Sequence, residues 1–188
     1  MRNKSEFTRQ IQQLSDDHTV YDVVYPLVYR ELKKMAGIQL SRERNDHTIT
    51  ETELVHEVYI KMVNQNEIDL RSKNHFMALA SSCMRQLLID HARKKKAKKR
   101  GEGKKNLTYI DGIYNRHEKS ARNLLQIEKA LLKLEKMNKR LSDVVTMRFF
   151  GEMKISEIAS VLNVSESTVH RDWKKAKGFL YKELKSNP

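Results

Sequence analysis

Near the C-terminus, Ser167, Thr168, His170, Arg171, Lys174 and Lys175 bring hydroxyls, an imidazole and cations together within nine positions of "SESTVHRDWKK". Hydroxyls and the first cations near a helix N-terminus are what base edges and phosphates bind, and lysines further along suit phosphates. A second cluster lies in "RSKNHFMALA", where Arg71, Lys73, Asn74, His75 and Phe76 meet at a loop-to-helix junction. Cations beside an amide and a ring suit a single strand better than a duplex, because unstacked bases can lie against the ring while cations track the backbone; the alternative for Phe76 is a place in the core. Downstream, Arg85, Arg93, Lys96 and Arg100 fall close to one stripe of a helix that ends in "DHARKKKAKKRG".

Catalytic and metal-binding patterns are missing from the sequence. "HEVYI" begins like a zinc-protease motif but lacks the second histidine four residues after His56. His75 and His91 are sixteen residues apart and fall on nearly opposite helix faces. A single cysteine, Cys83, supplies neither a thiolate cluster nor an internal disulfide. No glycine-rich phosphate loop is present. These observations predict a protein that is not an enzyme and needs no cofactor or metal.

The surrounding elements read as helices. Apolar residues recur at helical spacing, strand-like alternation is scarce, and the 188 residues include two prolines and six glycines. An all-α fold follows. "EFTRQIQQL" is a short helix; a longer one begins near Val20 and is bent or started at Pro26. Thr50 or Thr52 caps "ETELVHEVYIKMV", with Glu53 three residues after Thr50 as a capping box requires. "ERNDHTIT" and "NQNEIDLRS" read as loops. The stretch 101–121 holds three of the six glycines without sustained periodicity, and predicts a linker. The chain thus divides into a helical domain over 1–100, a linker over 101–121 and a second helical domain over 122–188.

Within the second domain, "SDVVTMRFF" predicts a helix capped by Ser142. Then "KISEIASVL", "NVS" and "ESTVHRDWKKAKGFL" fit a helix-turn-helix, with Ser165 capping the second helix. Val169, Trp173 and Leu180 should face the core, against Leu131, Leu134, Val145 and Phe149. Lys and Arg outnumber Asp and Glu by 37 to 24, a formal charge of +13. That excess points to a polyanionic partner. No apolar run approaches the roughly 20 residues that span a bilayer, and the N-terminus lacks a signal-peptide core. The expectation is a cytoplasmic protein without membrane insertion.

Three stretches, "ELVHEVYIKMV", "NHFMALASSCMRQLLIDHARKKKAKKRG" and "STVHRDWKKAKGFLYKEL", occur in this order from about Tyr21 to Leu184. Together they resemble bacterial RNA polymerase sigma factors of the extracytoplasmic-function (ECF) group. The resemblance implies that the first domain is sigma region 2, which docks on core RNA polymerase and captures the minus-ten element as an opened strand. It implies that the last domain is region 4, which binds the minus-thirty-five element as duplex promoter DNA. In "ELVHEVYIKM" the exposed polymerase-contacting positions would include Glu53, His56, Glu57 and Lys61, with Leu54 and Val58 in the core. Arg71, Lys73, Asn74, His75 and Phe76 would take up a flipped minus-ten base, and Arg85, Arg93, Lys96 and Arg100 would serve the same strand. An anti-sigma factor would be a further partner. The competing reading is a free-standing helix-turn-helix regulator that binds an operator without polymerase; an RNA-binding or anti-termination protein fits the charge but not the helix-turn-helix.

Overall fold

The computed structural model describes residues 19–43, 49–63, 72–101 and 111–186. Among the described residues seven α-helices follow in order: α1 (Thr19–Glu43), α2 (Glu51–Val63), α3 (Lys73–Gly101), α4 (Asp111–Met137), α5 (Lys139–Val145), α6 (Ile155–Leu162) and α7 (Glu166–Ser186). A π-helical turn, Thr146–Phe150, continues α5. Among the described residues there is no strand. The expected short helix at "EFTRQIQQL" and most of both expected loops lie outside the described residues.

Helix starts follow local side-chain chemistry. At α2, the Thr50 backbone N–H donates to Glu53 Oε2 at 2.7 Å and the Glu53 N–H donates to Thr50 Oγ1 at 3.2 Å, completing the expected capping box. At α7, the Thr168 N–H donates to Ser165 Oγ at 3.2 Å, so Ser165 is the cap its position predicted. Ser142 is not a cap. Helix α5 starts three residues before it, with Asn138 Oδ1 accepting from the Leu141 N–H at 3.2 Å. Ser142 is buried inside the helix, and its hydroxyl has no hydrogen-bond partner among the described residues. Nor does Pro26 start a helix: α1 runs through it.

Helices α1–α3 pack as a group, and α4–α7 as a second. The two groups share one core, because α3 packs against α2 on one side and against α4, the π turn and α6 on the other. Val28, Leu32, Leu54, Val58, Phe76 and Met84 line the first part; Leu131, Leu134, Val145, Phe150, Ile158 and Val169 line the second. Phe150 is fully buried, while Phe149, Trp173 and Leu180 pack at the margin. Cys83 sits in this core, and burial pushes its thiol above the ordinary range, away from thiolate chemistry.

Among the described residues, Gln39, Arg85 and Ser81 make polar contacts between the groups. Gln39 Nε2 donates to the carbonyls of Phe149 at 2.6 Å and Phe150 at 3.4 Å, on the π turn. Arg85 Nε donates to Glu128 Oε2 at 2.8 Å and its Nη1 to Thr146 Oγ1 at 3.2 Å. Ser81 Oγ, which donates to Met77 O at 2.6 Å, lies 3.9 Å from Met153 Sδ. Gly151 is seated there so tightly that a Cβ on it would lie 1.9 Å from Ser81 Oγ and 2.6 Å from Met147 O. The stretch expected as a linker over 101–121 is helical at Gly101 and again from Asp111.

Candidate nucleic-acid interface

Helix α6 and helix α7 meet through the three residues the sequence marked. Asn163 adopts the left-handed conformation at φ 52° and ψ 49°, which an asparagine tolerates better than most residues. The Val164 N–H closes the turn on Ala159 O at 3.1 Å. Beyond it, Val169, Asp172 and Ala176 form the buried stripe of α7. Ser167, His170, Arg171, Lys174 and Lys175 are exposed on its other faces, with Thr168 half-buried beside them. Arg171, Lys174 and Lys175 have no ion-pair partner among the described residues, so their charge is available to an external anion. The hydroxyls of Ser167 and Thr168 both lie 2.9 Å from Ser165 Oγ, which ties them to the helix start. Lys177 stacks over Trp173 at 5.6 Å, and the indole packs at the core margin.

The second cluster is divided by the fold. Phe76 is 1% exposed and enclosed in the core, so of its two readings the structure favours core over a base platform, and its ring is not presented to a base. A helix register, Phe76 to Ala80 to Met84, carries it inward. Asn74 is also buried, Lys73 is ion-paired with Glu31 of α1, and His75 is half-exposed with its backbone N–H on Ser72 Oγ at 3.3 Å. Arg71 lies outside the described residues. Arg85 leaves the expected basic stripe: its side chain and that of Glu128 are each 13% exposed, and it holds the two helix groups together. A carboxylate 43 residues away in sequence decides that, which helical spacing alone does not reveal.

Arg93 and Lys96 are exposed as expected, with Arg93 Nη1 on Asp90 Oδ1 at 3.2 Å; the side chain of Arg100 lies outside the described residues. Sequence reasoning missed their neighbours. An open groove of about 570 Å³ runs between α3 and α4, where Arg93 and Lys96 face Arg122 and Lys129 over Leu125 and Leu132. The signal was present, since Arg122, Lys129 and Leu132 recur at helical spacing in "RNLLQIEKALL".

On α2, Glu53, His56, Glu57 and Ile60 recur at i, i+3, i+4 and i+7 and share one face. Ile60 is 57% exposed there, Lys61 is half-buried, and Leu54 and Val58 are in the core. Glu57 Oε2 pairs with His91 Nε2 at 3.1 Å. The backbone and hydroxyl bonds from Thr50 hold the Glu53 carboxyl below the ordinary carboxylate range.

An all-helical chain that presents a helix-turn-helix with an uncommitted cationic face, beside a long basic helix, defines a DNA-binding protein. The ECF sigma factor family model matches residues 4–186, and the chain belongs to that family. It is an RNA polymerase sigma factor that directs promoter recognition and DNA opening in transcription initiation. The family implies core RNA polymerase and promoter DNA as partners, and a regulator rather than an enzyme. No curated protein matches the chain. Among the described residues no helix is long and apolar enough to cross a membrane.

Proposed function

We propose that α7 reads the minus-thirty-five element as duplex, with Arg171 and His170 at base edges, Ser167 and Thr168 seating the helix start, and Lys174 and Lys175 on phosphates. The exposed cationic face of α7, set against a buried Val169–Asp172–Ala176 stripe, carries this reading. Residues 1–100 and 122–188 then act as two readers, each weak alone, that gain affinity when both engage one promoter. Lys73, Asn74 and His75 serve strand opening, while Arg93 and Lys96 hold phosphates. Arg71 and Arg100 belong to the same two sets. The protein works in the cytoplasm, where an anti-sigma factor would compete for the same surfaces.

Arg171→Ala tests the α7 assignment. Removal of one bidentate base contact costs about 1–3 kcal/mol and relaxes preference at one position. Holoenzyme carrying the variant should show altered base preference at the minus-thirty-five element in a promoter library. A uniform fall in affinity across the library would make Arg171 a phosphate contact.

The α2 face of Glu53, His56, Glu57 and Lys61, with Ile60 at its centre, is the polymerase-docking surface. An exposed isoleucine ringed by charges fits a partner that supplies apolar contact and complementary charge. Glu57→Lys should weaken co-migration with core polymerase while helical content by circular dichroism stays unchanged. Retained binding would move the docking surface elsewhere.

A further inference from the structure

Asp172 breaks the pattern of the helix that carries it. It occupies the buried stripe of α7, between Val169 and Ala176, and its side chain is 3% exposed. An apolar residue would satisfy that position by packing alone, and a carboxylate there is costly unless it is paired. Its partner comes from α5: Arg140 Nε donates to Asp172 Oδ2 at 2.7 Å. The Arg140 side chain is 44% exposed, so the pair lies at the edge of the core, directly behind the exposed face of α7.

The rest of the packing of α7 is apolar, from Val169 and Ala176 in the stripe with Trp173, Phe179 and Leu180 partly buried beside them. Val169 and Ala176 are small and make contacts without direction. Trp173 packs only at the margin, and the Lys133–Glu183 ion pair lies near the far end of the helix. The Arg140–Asp172 bond is directional, and it sits one residue from Arg171. A side-chain tip lies about 5–6 Å from a helix axis. A rotation of roughly 20° therefore moves the tip by about 2 Å, beyond the tolerance of a hydrogen bond to a base edge.

We infer that Arg140 is a positioning residue for promoter selection: by holding the Asp172 carboxylate it fixes the rotation of α7 and so decides which base edges Arg171 and His170 reach. This rests on α7 being the minus-thirty-five reader. Arg140 touches no base; it sets specificity through Asp172. A buried ion pair replaced by apolar residues of similar volume often keeps its stability. The pair is therefore separable from folding, and this distinguishes positioning from mere support.

The experiment compares four holoenzymes on a promoter library varied at the minus-thirty-five element: wild type, Arg140→Gln, the double variant Arg140→Met with Asp172→Leu, and Arg171→Ala. Melting temperatures of the free chains are measured alongside. Arg140→Gln takes the counter-charge and the guanidinium geometry away from the buried Asp172 carboxylate and should lower both melting temperature and base discrimination. The double variant should keep the melting temperature yet lose about fivefold or more of the discrimination, comparable to removing one base-edge hydrogen-bond pair. An unchanged preference profile in the double variant, with Arg171→Ala altered, overturns the role of Arg140. A uniform fall in affinity with shallower salt dependence would instead make Arg140 a phosphate contact and also overturns it. If Arg171→Ala changes nothing while the double variant shifts the profile, positioning through Asp172 stands and the reader residue on α7 is another. If neither changes the profile, α7 is not the reader and the inference falls with that assignment.

Discussion

Ser81→Leu should split one cooperative unfolding transition into two and lengthen the distance between the middle of α1 and the end of α7. The wild-type core is continuous across the two helix groups, so the free chain should unfold as a unit. Ser81 is fully buried and faces Gly151, where even an added Cβ would meet Ser81 Oγ at 1.9 Å. Extra side-chain volume at such a close approach costs about 1–3 kcal/mol and occasionally more. Gly151→Ala crowds the same place from the other side and should give the same result, although it also strains its own turn at Met147 O. Differential scanning calorimetry would show the two transitions. Dyes on Lys33→Cys and Lys182→Cys would report the distance, because both positions are exposed while the native Cys83 is buried. A single transition and an unchanged distance in both variants would show that other interactions keep the groups docked.

Promoter geometry gives that docking a consequence. A compact chain of this length has a radius of gyration of about 16 Å and is therefore roughly 40 Å across. Elements nominally centred about 25 base pairs apart are separated by about 85 Å of helix axis. One compact body does not reach both, so with each group assigned to its own element the groups held together by Gln39, Arg85 and Gly151 should separate on the promoter. The same dye pair should report a separation beyond the compact diameter in the holoenzyme–promoter complex. Ser81→Leu should then bind promoter at least as tightly as wild type, because less docking energy has to be given up.

What the sequence made legible was local. The capping box at Thr50 and Glu53, the cap at Ser165 and the "NVS" turn are settled by residues within four positions of one another, and the structure repeats each of them. The helix-turn-helix was readable for the same reason. Where a residue's state depends on a partner far away in sequence, the reading went astray. Arg85 looked like a member of a basic stripe, but Glu128 and Thr146 draw it in between the two groups. Phe76 at a helix start was open to two readings, base platform or core, and α3 turns it inward. The expected linker is helical where it is described, at Gly101 and from Asp111, and residues 102–110 lie outside the described residues. Glycines there were weighed as breakers, yet one glycine costs a helix only about 1 kcal/mol, and Gly112 is the second residue of a 27-residue helix. Asp172 was the most informative position to be passed over. A carboxylate in register with Val169 and Ala176 is visible in the sequence, and the burial of that stripe gives it meaning.

The start of α3 should show the other large effect, a failure of strand opening that pre-opened DNA relieves. Its first residues are not equivalent. Lys73 is bound to Glu31 and Asn74 is buried, whereas His75 is half-exposed and able to meet an extruded base. Taking a base out of the stack costs a few kcal/mol, which the protein has to offset by interactions made only with the opened strand. Removing such an interaction should leave the closed complex intact, because the proposed duplex binding by α7 and phosphate binding by Arg93 and Lys96 do not depend on it. His75→Ala should therefore bind promoter normally and fail to open it, with opening reduced about tenfold for each 1.4 kcal/mol of stabilisation that the imidazole gives the opened strand. Asn74→Ala should add a fall in melting temperature, since truncating a buried side chain leaves a gap in the packing. On a template already mismatched across the minus-ten region the unpairing cost is gone, and both variants should recover activity. Neutralising Arg93 and Lys96 should behave differently: affinity falls on every template, and the salt dependence flattens by about 0.7–0.9 slope units for each phosphate no longer neutralised. Permanganate footprinting on intact and mismatched templates separates the two outcomes. Normal opening of intact duplex by the Asn74→Ala, His75→Ala double variant would remove both residues from the opening step.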